Sequence, residues 1–349
     1  MDDYREHPTN RDFTAEAKID VLRQMIRIRR FEQTALKYYN GGYIGGWLNL
    51  SIGQESIAAG VRSLMSGHDH SISGSRGIGH AIAAGVEMGP CMAELFGRTN
   101  GCSKGKAGMF SFYAPSRHHW GGHGLAAAQT PLAAGLAFAL KQREIPGAVV
   151  CFMGDGACNQ GVYHESLNLA GLFDLPVIYL IENNGFGMGT SVERASRFTG
   201  CLARRAETYD IAWDKLGDED HFEVRAKVGT ALERARRECR PTVIEITTCR
   251  YYGASVADAN NYKYRSKEEV DDRRENHDPL KRWRRHLVDE GLLDQASVEK
   301  FDEEAKAEAT AAVEFAKNGP RPEVPSIIED VYWESDHDTP ASKTGRHFF

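Results

Sequence analysis

Two short apolar runs, Ala148–Met153 and Pro176–Ile181, lack the alternation of a strand with one wet face. Runs of this kind predict strands of a sheet covered on both faces. Between them, Gly154-Asp155-Gly156 predicts a turn and Cys158–Leu172 a helix. Strand, turn, helix, strand is a βαβ unit, so parallel pairing and a right-handed crossover are expected. A third run, Val243–Thr247, follows a predicted helix over Phe222–Glu238. The fold class expected is therefore α/β, a mostly parallel sheet with helices on both faces. Residues 14–39 predict a long helix capped by Thr14, with Val21, Leu22, Met25, Ile28, Phe31, Ala35 and Leu36 as its apolar stripe. Arg23, Arg27, Arg29, Arg30 and Lys37 read as its solvated face. Further helices are expected over Ser56–Met65, Pro131–Gln142, Lys267–Arg274, Pro279–Glu290 and Ala296–Lys317.

Elsewhere periodicity fails. Gly41, Gly42, Gly45 and Gly46 predict a loop, and Gly67–His70 a turn. Ser71–Gly124 is glycine-rich and carries Arg76, Lys104, Lys106, Arg117, His118, His119 and His123. Met109, Phe110, Phe112, Tyr113 and Trp120 are interleaved with them, so the segment reads as an ordered wrap around something. Residues 190–212 read as surface loop and short helix, and 251–266 as a polar, aromatic loop. The division expected is a helical arm over 1–45, an α/β domain with C-terminal helices over 46–317, and a tail over 318–349. Tyr332, Trp333, Phe348 and Phe349 of that tail either dock on a partner or fray.

Composition narrows the function classes. The chain has 349 residues and a net charge of −6, which disfavours nucleic acid or another polyanion as partner. Seven scattered cysteines, with no C-x-x-C pair, suit free thiols in a reducing compartment and give no zinc signature. The start, Met1-Asp2-Asp3-Tyr4-Arg5, is not a signal peptide, and no apolar run is long enough to span a bilayer. A soluble, cytoplasmic protein is expected.

In a parallel α/β sheet, ligands bind at the carboxyl ends of the strands. Asp155 and Asn184 fall at two such ends in one βαβ unit. An anionic oxygen beside a neutral carbonyl oxygen suits Mg²⁺, which takes few protein ligands and fills the rest with phosphate and water. Gly154 and Gly156 admit close backbone approach, and the helix that follows aims N–H groups at the same place. The combination reads as a diphosphate held through a divalent ion. A plainer reading stands beside it: Asp155 as a helix cap and Asn184-Gly185 as a turn. A dinucleotide site of the G-x-G-x-x-G kind is disfavoured, because Asn159 follows where a glycine is required.

Gly154-Asp155-Gly156-Ala157-x-Asn159-Gln160-Gly161, with Leu175-Pro176 and Glu182-Asn183-Asn184-x-Phe186-Gly187-Met188-Gly189-Thr190-Ser191, resembles the thiamine diphosphate motif of alpha subunits of 2-oxo acid dehydrogenase E1 components. The pyruvate and acetoin dehydrogenase types are the nearest match. The resemblance takes in Gly53-Gln54-Glu55, Cys102-x-Lys104-Gly105-Lys106, Gly121-Gly122-x-Gly124, Gln129-x-Pro131-Leu132 and Arg265-x-Lys267-Glu268-Glu269, from about residue 20 to 315. It implies a thiamine diphosphate-binding fold, with thiamine diphosphate and Mg²⁺ as cofactors. It implies Asp155, Asn184 and the Phe186 carbonyl as metal ligands. Gly156 and Ala157 are implied as diphosphate contacts, Arg76 as the phosphate arginine, and Gly124 and Ala126 as aminopyrimidine contacts. It also implies a beta-type E1 subunit in an alpha2-beta2 heterotetramer, because that partner supplies the glutamate that activates the aminopyrimidine. A lipoyl acyltransferase would be a further partner and a small 2-oxo acid the substrate.

The sequence departs from the family at three places. Asn49 stands where a histidine is usual, Ser75 where a tyrosine is usual, and Tyr252-Gly253-Ala254-Ser255 replaces an H-G-H-S run. Alanine cannot move a proton, and asparagine cannot shuttle one near neutral pH. His123 is the first candidate to take over, with His80, His118 and His119 behind it; His123 and Asn49 are the catalytic candidates. Three activities stay open: oxidative decarboxylation with acyl transfer, non-oxidative decarboxylation or carboligation, and a decayed scaffold subunit. Ser255 matches a regulated serine of mitochondrial relatives, but regulation is not expected from that alone.

Overall fold

Nine strands appear in the computed structural model, which describes residues 3–330. They are β1 (His70–Ile72), β2 (Tyr113–Ala114), β3 (His119–Trp120), β4 (Val149–Gly154), β5 (Val177–Asn183), β6 (Phe186–Gly187), β7 (Thr190–Ser191), β8 (Ala212–Gly217) and β9 (Thr242–Thr247). Seven form one sheet in the order β2-β3-β1-β4-β5-β9-β8. All neighbours are parallel except the antiparallel β2–β3 edge. β6 and β7 make a separate antiparallel pair. The expected βαβ unit is present: Val149 lies opposite Val177 and Gly154 opposite Glu182, with helix Gly161–Leu172 between the strands.

The absence of polar alternation in β4 and β5 now has its cause. Successive side chains of a strand point to opposite faces. Val149, Cys151, Met153, Val177, Tyr179 and Ile181 enter one core with residues of helices Gln129–Gln142 and Gly161–Leu172. Ala148, Val150, Phe152, Ile178 and Leu180 enter the opposite core with Val224, Val228 and Leu232 of helix His221–Glu238. The architecture is the expected mostly parallel sheet with helices on both faces.

Several expectations are corrected. His70–Ile72, placed at a turn and the start of a loop, is a strand between β3 and β4. It is too short and polar to show a period. Residues 212–217, taken as loop or left unassigned, form the edge strand β8. The glycine-rich wrap contains helices Ile78–Ala83 and Met88–Leu95. Helix Gly161–Leu172 begins later than expected, and Asp155–Asn159 is a 3₁₀ turn.

The long helix is Ala15–Asn40, and the Thr14 hydroxyl accepts the Ala17 N–H at 3.2 Å as expected. Its arginines are not a uniformly solvated face. Arg29 is wedged between the buried carboxylates of Glu55 and Asp278. Arg27 pairs with Glu308, and Arg30 with Asp302, of helix Gln295–Lys317. The arginine side is therefore an ion-paired seam to the C-terminal helices. Tyr332, Trp333, Phe348 and Phe349 lie outside the described residues. Among the described residues, no helix is long and apolar enough to cross a membrane. All seven cysteines are free.

Candidate active site

The carboxyl ends of β4 and β5 are adjacent because the strands pair in register up to Gly154 and Glu182. Just beyond them, the Gly156 and Gly187 backbones touch: a Cβ added to either would lie 3.2 Å from the other's Cα. This contact draws the Asp155 turn and the loop after Asn184 together. Asp155 is buried, and backbone N–H groups of Gly156, Gly185 and Phe186 point at its carboxylate. Burial still pushes its pKa above the ordinary carboxylate value, with those N–H groups and Arg250 opposing.

Neither plainer role from the sequence describes this pair. The helix after β4 starts at Gly161, so Asp155 is not its cap. The turn after β5 is made by Asn183, whose Oδ1 accepts the Gly185 N–H at 2.9 Å. The Asn183 Nδ2 donates to the buried Glu245 carboxylate at 2.7 Å, which fixes its rotamer. Asn184 is left free of that duty. Its Oδ1 and the Asp155 Oδ2 are both buried without a hydrogen-bond partner.

These two oxygens open onto a cavity of about 650 Å³. Asn49, Arg76, His123, Gly124, Ala126, Asp155, Gly156, Ala157, Asn184 and Phe186 all line it. So the sequence candidates, scattered from residue 49 to 186, converge on one space. Further unpartnered buried atoms belong to its lining: Asn49 Oδ1, both amide atoms of Gln54, His123 Nε2 and Gln129 Oε1. An unmet buried polar atom costs about 1–3 kcal/mol. Such a concentration marks a site whose partners come from a ligand.

Two guanidinium groups face this cavity. Arg76 donates to the carbonyls of Leu50 and Ala254, the latter at 3.2 Å. Burial, and then the nearby Arg250 charge, bring its pKa down to about 10. It remains a cation at pH 7. Arg250, not singled out in the sequence, is almost fully buried. It donates to the Phe186 carbonyl at 3.2 Å, to the Met188 carbonyl, and to the Tyr264 hydroxyl at 3.0 Å. Tyr264 donates to Asp258 at 2.6 Å, and Asp258 also takes the Ala254 N–H at 3.0 Å. Residues 251–266 are thus an ordered wall. Its signal in the sequence, an arginine after an apolar strand, is too common to single out.

The donor set fits a hard divalent ion. Among the described residues, no three His, Cys, Asp or Glu side chains cluster to hold a metal. A metal here would meet one carboxylate and one amide oxygen, with the Phe186 carbonyl alongside, and would need phosphate and water to finish its shell. That division is the one Mg²⁺ favours.

The histidine candidates separate by position. His123 is half-buried, with its ring 6.3 Å from Tyr113. Burial lowers its pKa, which keeps the imidazole neutral at pH 7. His119 is fully buried in β3, bonded to Ser71 Oγ at 2.9 Å, and burial depresses its pKa to about 3. His118 stacks on His70 at 4.4 Å. Neither lines the cavity. His80 contacts it only through Glu182, whose carboxylate lies 3.1 Å from Nε2. Asn49 donates through Nδ2 to the Ser75 carbonyl at 3.4 Å. Ser75 and Ala254 line the cavity beside it. Ser255 is buried, and its hydroxyl both donates to the Leu48 carbonyl and accepts the Leu48 N–H.

Comparison with known proteins agrees with this geometry. The family described as "Dehydrogenase E1 component" matches residues 23–325. The chain is 38% identical over 320 residues to the pyruvate dehydrogenase E1 component subunit alpha of Rhizobium meliloti (strain 1021), covering 92% of this chain and 91% of that protein. It is 40% identical over 308 residues to the Zymomonas mobilis protein of the same name, with 88% and 86% covered. The mitochondrial type I alpha subunit of Ascaris suum is 34% identical over 322 residues, with 92% and 80% covered. The chain belongs to the dehydrogenase E1 component family as an alpha-type subunit, and so to the thiamine diphosphate-dependent enzymes that decarboxylate a 2-oxo acid and pass on its acyl group.

Proposed function

We propose that this chain holds Mg²⁺ and the diphosphate of thiamine diphosphate at the tips of β4 and β5, for turnover of a short 2-oxo acid such as pyruvate. The observation that carries this reading is the pair of buried, unpartnered oxygens on Asp155 and Asn184. Asp155 Oδ2, Asn184 Oδ1 and the Phe186 carbonyl would ligate the ion. Arg76 sets a permanent positive charge beside the phosphates, and its rigid donors suit their oxygens. The Gly156 and Ala157 backbone meets the diphosphate, and Gly124 and Ala126 meet the aminopyrimidine end. When bound, thiamine diphosphate supplies the nucleophilic carbon and the electron sink for decarboxylation.

His123 is the one imidazole lining the cavity among the described residues. Neutral at pH 7, it can accept or return a proton at Nε2. Asn49 can orient an oxygen by hydrogen bonding but cannot carry a proton. The methyl group of Ala254 does neither. This proton-poor wall favours a second reading, in which the acyl group passes to a carbonyl acceptor to form an acyloin.

A beta-type subunit completes the site in an alpha2-beta2 assembly. The cavity mouth carries Trp47, Leu125 and Met188, which are 53%, 77% and 63% exposed. Large apolar side chains gathered at the mouth of a polar cavity suit burial by a partner. A lipoyl acyltransferase is the acceptor-bearing partner if turnover is oxidative.

One experiment separates the activities. The chain is assembled with its beta-type subunit, given pyruvate, Mg²⁺ and thiamine diphosphate, and supplied with an artificial electron acceptor. CO₂ release with acceptor reduction supports oxidative acyl transfer. CO₂ with acyloin and no reduction selects carboligation. No CO₂ from any 2-oxo acid rejects both.

A further inference from the structure

Among the described residues, Gln54 is the only amide side chain whose nitrogen and oxygen are both buried and both without a hydrogen-bond partner. Its exposure is 2%, and it lines the cavity that holds Arg76, Arg250 and Asp155. Two other buried amides there are half engaged: Asn49 donates to Ser75 and Gln129 donates to the Phe152 carbonyl at 2.9 Å. Gln54 has neither tie.

Its position is fixed by its neighbours. Gly53 has φ +101°, and a Cβ there would lie 2.5 Å from the Cys249 carbonyl and 2.7 Å from the Tyr251 ring. Only glycine fits that turn, which clamps it onto the segment carrying Arg250. On the other side Glu55 is gripped by Arg29, and its carboxylate also accepts the Gly53 N–H at 3.0 Å. The Gln54 N–H is bonded to the Ser51 carbonyl at 2.8 Å. The side chain therefore has no short route to solvent. A leucine or methionine would fill similar volume with no buried polar atom to satisfy. An amide kept at the wall of a cavity that two guanidinium groups also line, with both ends free, is suited to a ligand oxygen.

We infer that Gln54 is a ligand-binding residue of this site, donating through Nε2 to an oxyanion drawn into the cavity by Arg76 and Arg250. This rests on the reading of the cavity as the cofactor and substrate site. A phosphate of the cofactor and the carboxylate of the 2-oxo acid share the required chemistry, an anionic oxygen acceptor.

The test uses the complex assembled with its beta-type subunit and two variants, Gln54→Glu and Gln54→Leu. The first places a negative charge against the oxyanion, and the second removes the donor. Three quantities are measured: the Kd for thiamine diphosphate with Mg²⁺ by tryptophan fluorescence, the KM for pyruvate at saturating cofactor, and the Tm without cofactor. If the oxyanion is phosphate, both variants weaken cofactor binding by about tenfold or more and leave KM within about twofold. If it is the carboxylate, KM rises by about tenfold or more and the cofactor Kd stays within about twofold. In both cases the Tm of Gln54→Leu without cofactor is unchanged or higher, because an unsatisfied amide is removed. Kd and KM both within twofold for both variants would overturn the inference. So would a lowered cofactor-free Tm in Gln54→Leu, which would make the amide a part of the fold. If the wild-type complex does not turn over pyruvate, the functional reading fails and the cofactor Kd alone decides the role of Gln54. Should Gln54→Glu not assemble, Gln54→Leu decides on the same criteria.

Discussion

Gly187 and Gly156 are packed so closely that a Cβ on Gly187 would stand 3.2 Å from the Gly156 Cα. The two glycines sit on the loops that carry Asp155 and Asn184, so their contact limits how closely those loops approach. Gly187→Ala forces the loops apart by a few tenths of an ångström. Small displacements of positioned groups are costly, since misplacement by about 1 Å can lose roughly 100-fold. We expect Gly187→Ala to weaken Mg²⁺-dependent cofactor binding by about three- to tenfold, with a small change in cofactor-free Tm. Titration of cofactor at fixed Mg²⁺ checks this; unchanged affinity would show that the contact does not set the metal site.

Asp155 offers a test in which stability and binding move in opposite directions. Its pKa is raised by burial, so the folded, metal-free chain holds this proton to higher pH than the unfolded chain does. Metal-free stability is then greatest below the ordinary carboxylate pKa and falls as pH rises through the raised value. Asp155→Asn removes that slope. At pH 7 the metal-free variant is expected to be at least as stable as wild type, while its affinity for Mg²⁺ and cofactor drops by at least about 100-fold. Denaturation at several pH values, with and without Mg²⁺ and cofactor, reads both effects. A variant that binds as tightly as wild type would remove Asp155 from the metal shell.

His123→Gln keeps a hydrogen-bonding side chain and abolishes titration. Proton transfer by a positioned side chain contributes about 10²–10⁴ in rate, and kcat should fall within that range. Burial lowers the His123 pKa, so the neutral form extends below the usual imidazole range. Wild-type activity should fall along an acid limb as pH drops through that depressed value, and the variant should lack the limb. A pH profile of kcat in which both proteins share the limb would assign it elsewhere.

The sheet core was legible because the runs Ala148–Met153 and Pro176–Ile181 are apolar without alternation, and a doubly covered parallel sheet demands that. That Asp155 and Asn184 would lie side by side was legible because a βαβ unit places two loop tips together whatever else the chain does. The rest was hidden for separate reasons. β1 has three residues, too few to carry a period. Arg29 looks solvated in a helical projection because its partners Glu55 and Asp278 are 26 and 249 residues away. The turn role of Asn183 was hidden because it and Asn184 are identical in type. Arg250 and Gln54 gain meaning only once the Gly53 turn is packed against residues 249–251.

The ladder between β4 and β5 ends at the pair Gly154–Glu182, one residue before Asp155 on one strand and two before Asn184 on the other. The placement of the Asp155 and Asn184 tips therefore follows from backbone pairing and the contact of two glycines. Asn49, Ser75 and Ala254 hang on segments outside that ladder. On the proposed anchorage, exchanges at these three addresses would bear on the fate of the acyl group rather than on how the coenzyme is held. One scaffold can thus serve divergent chemistries without relearning how to hold its tool.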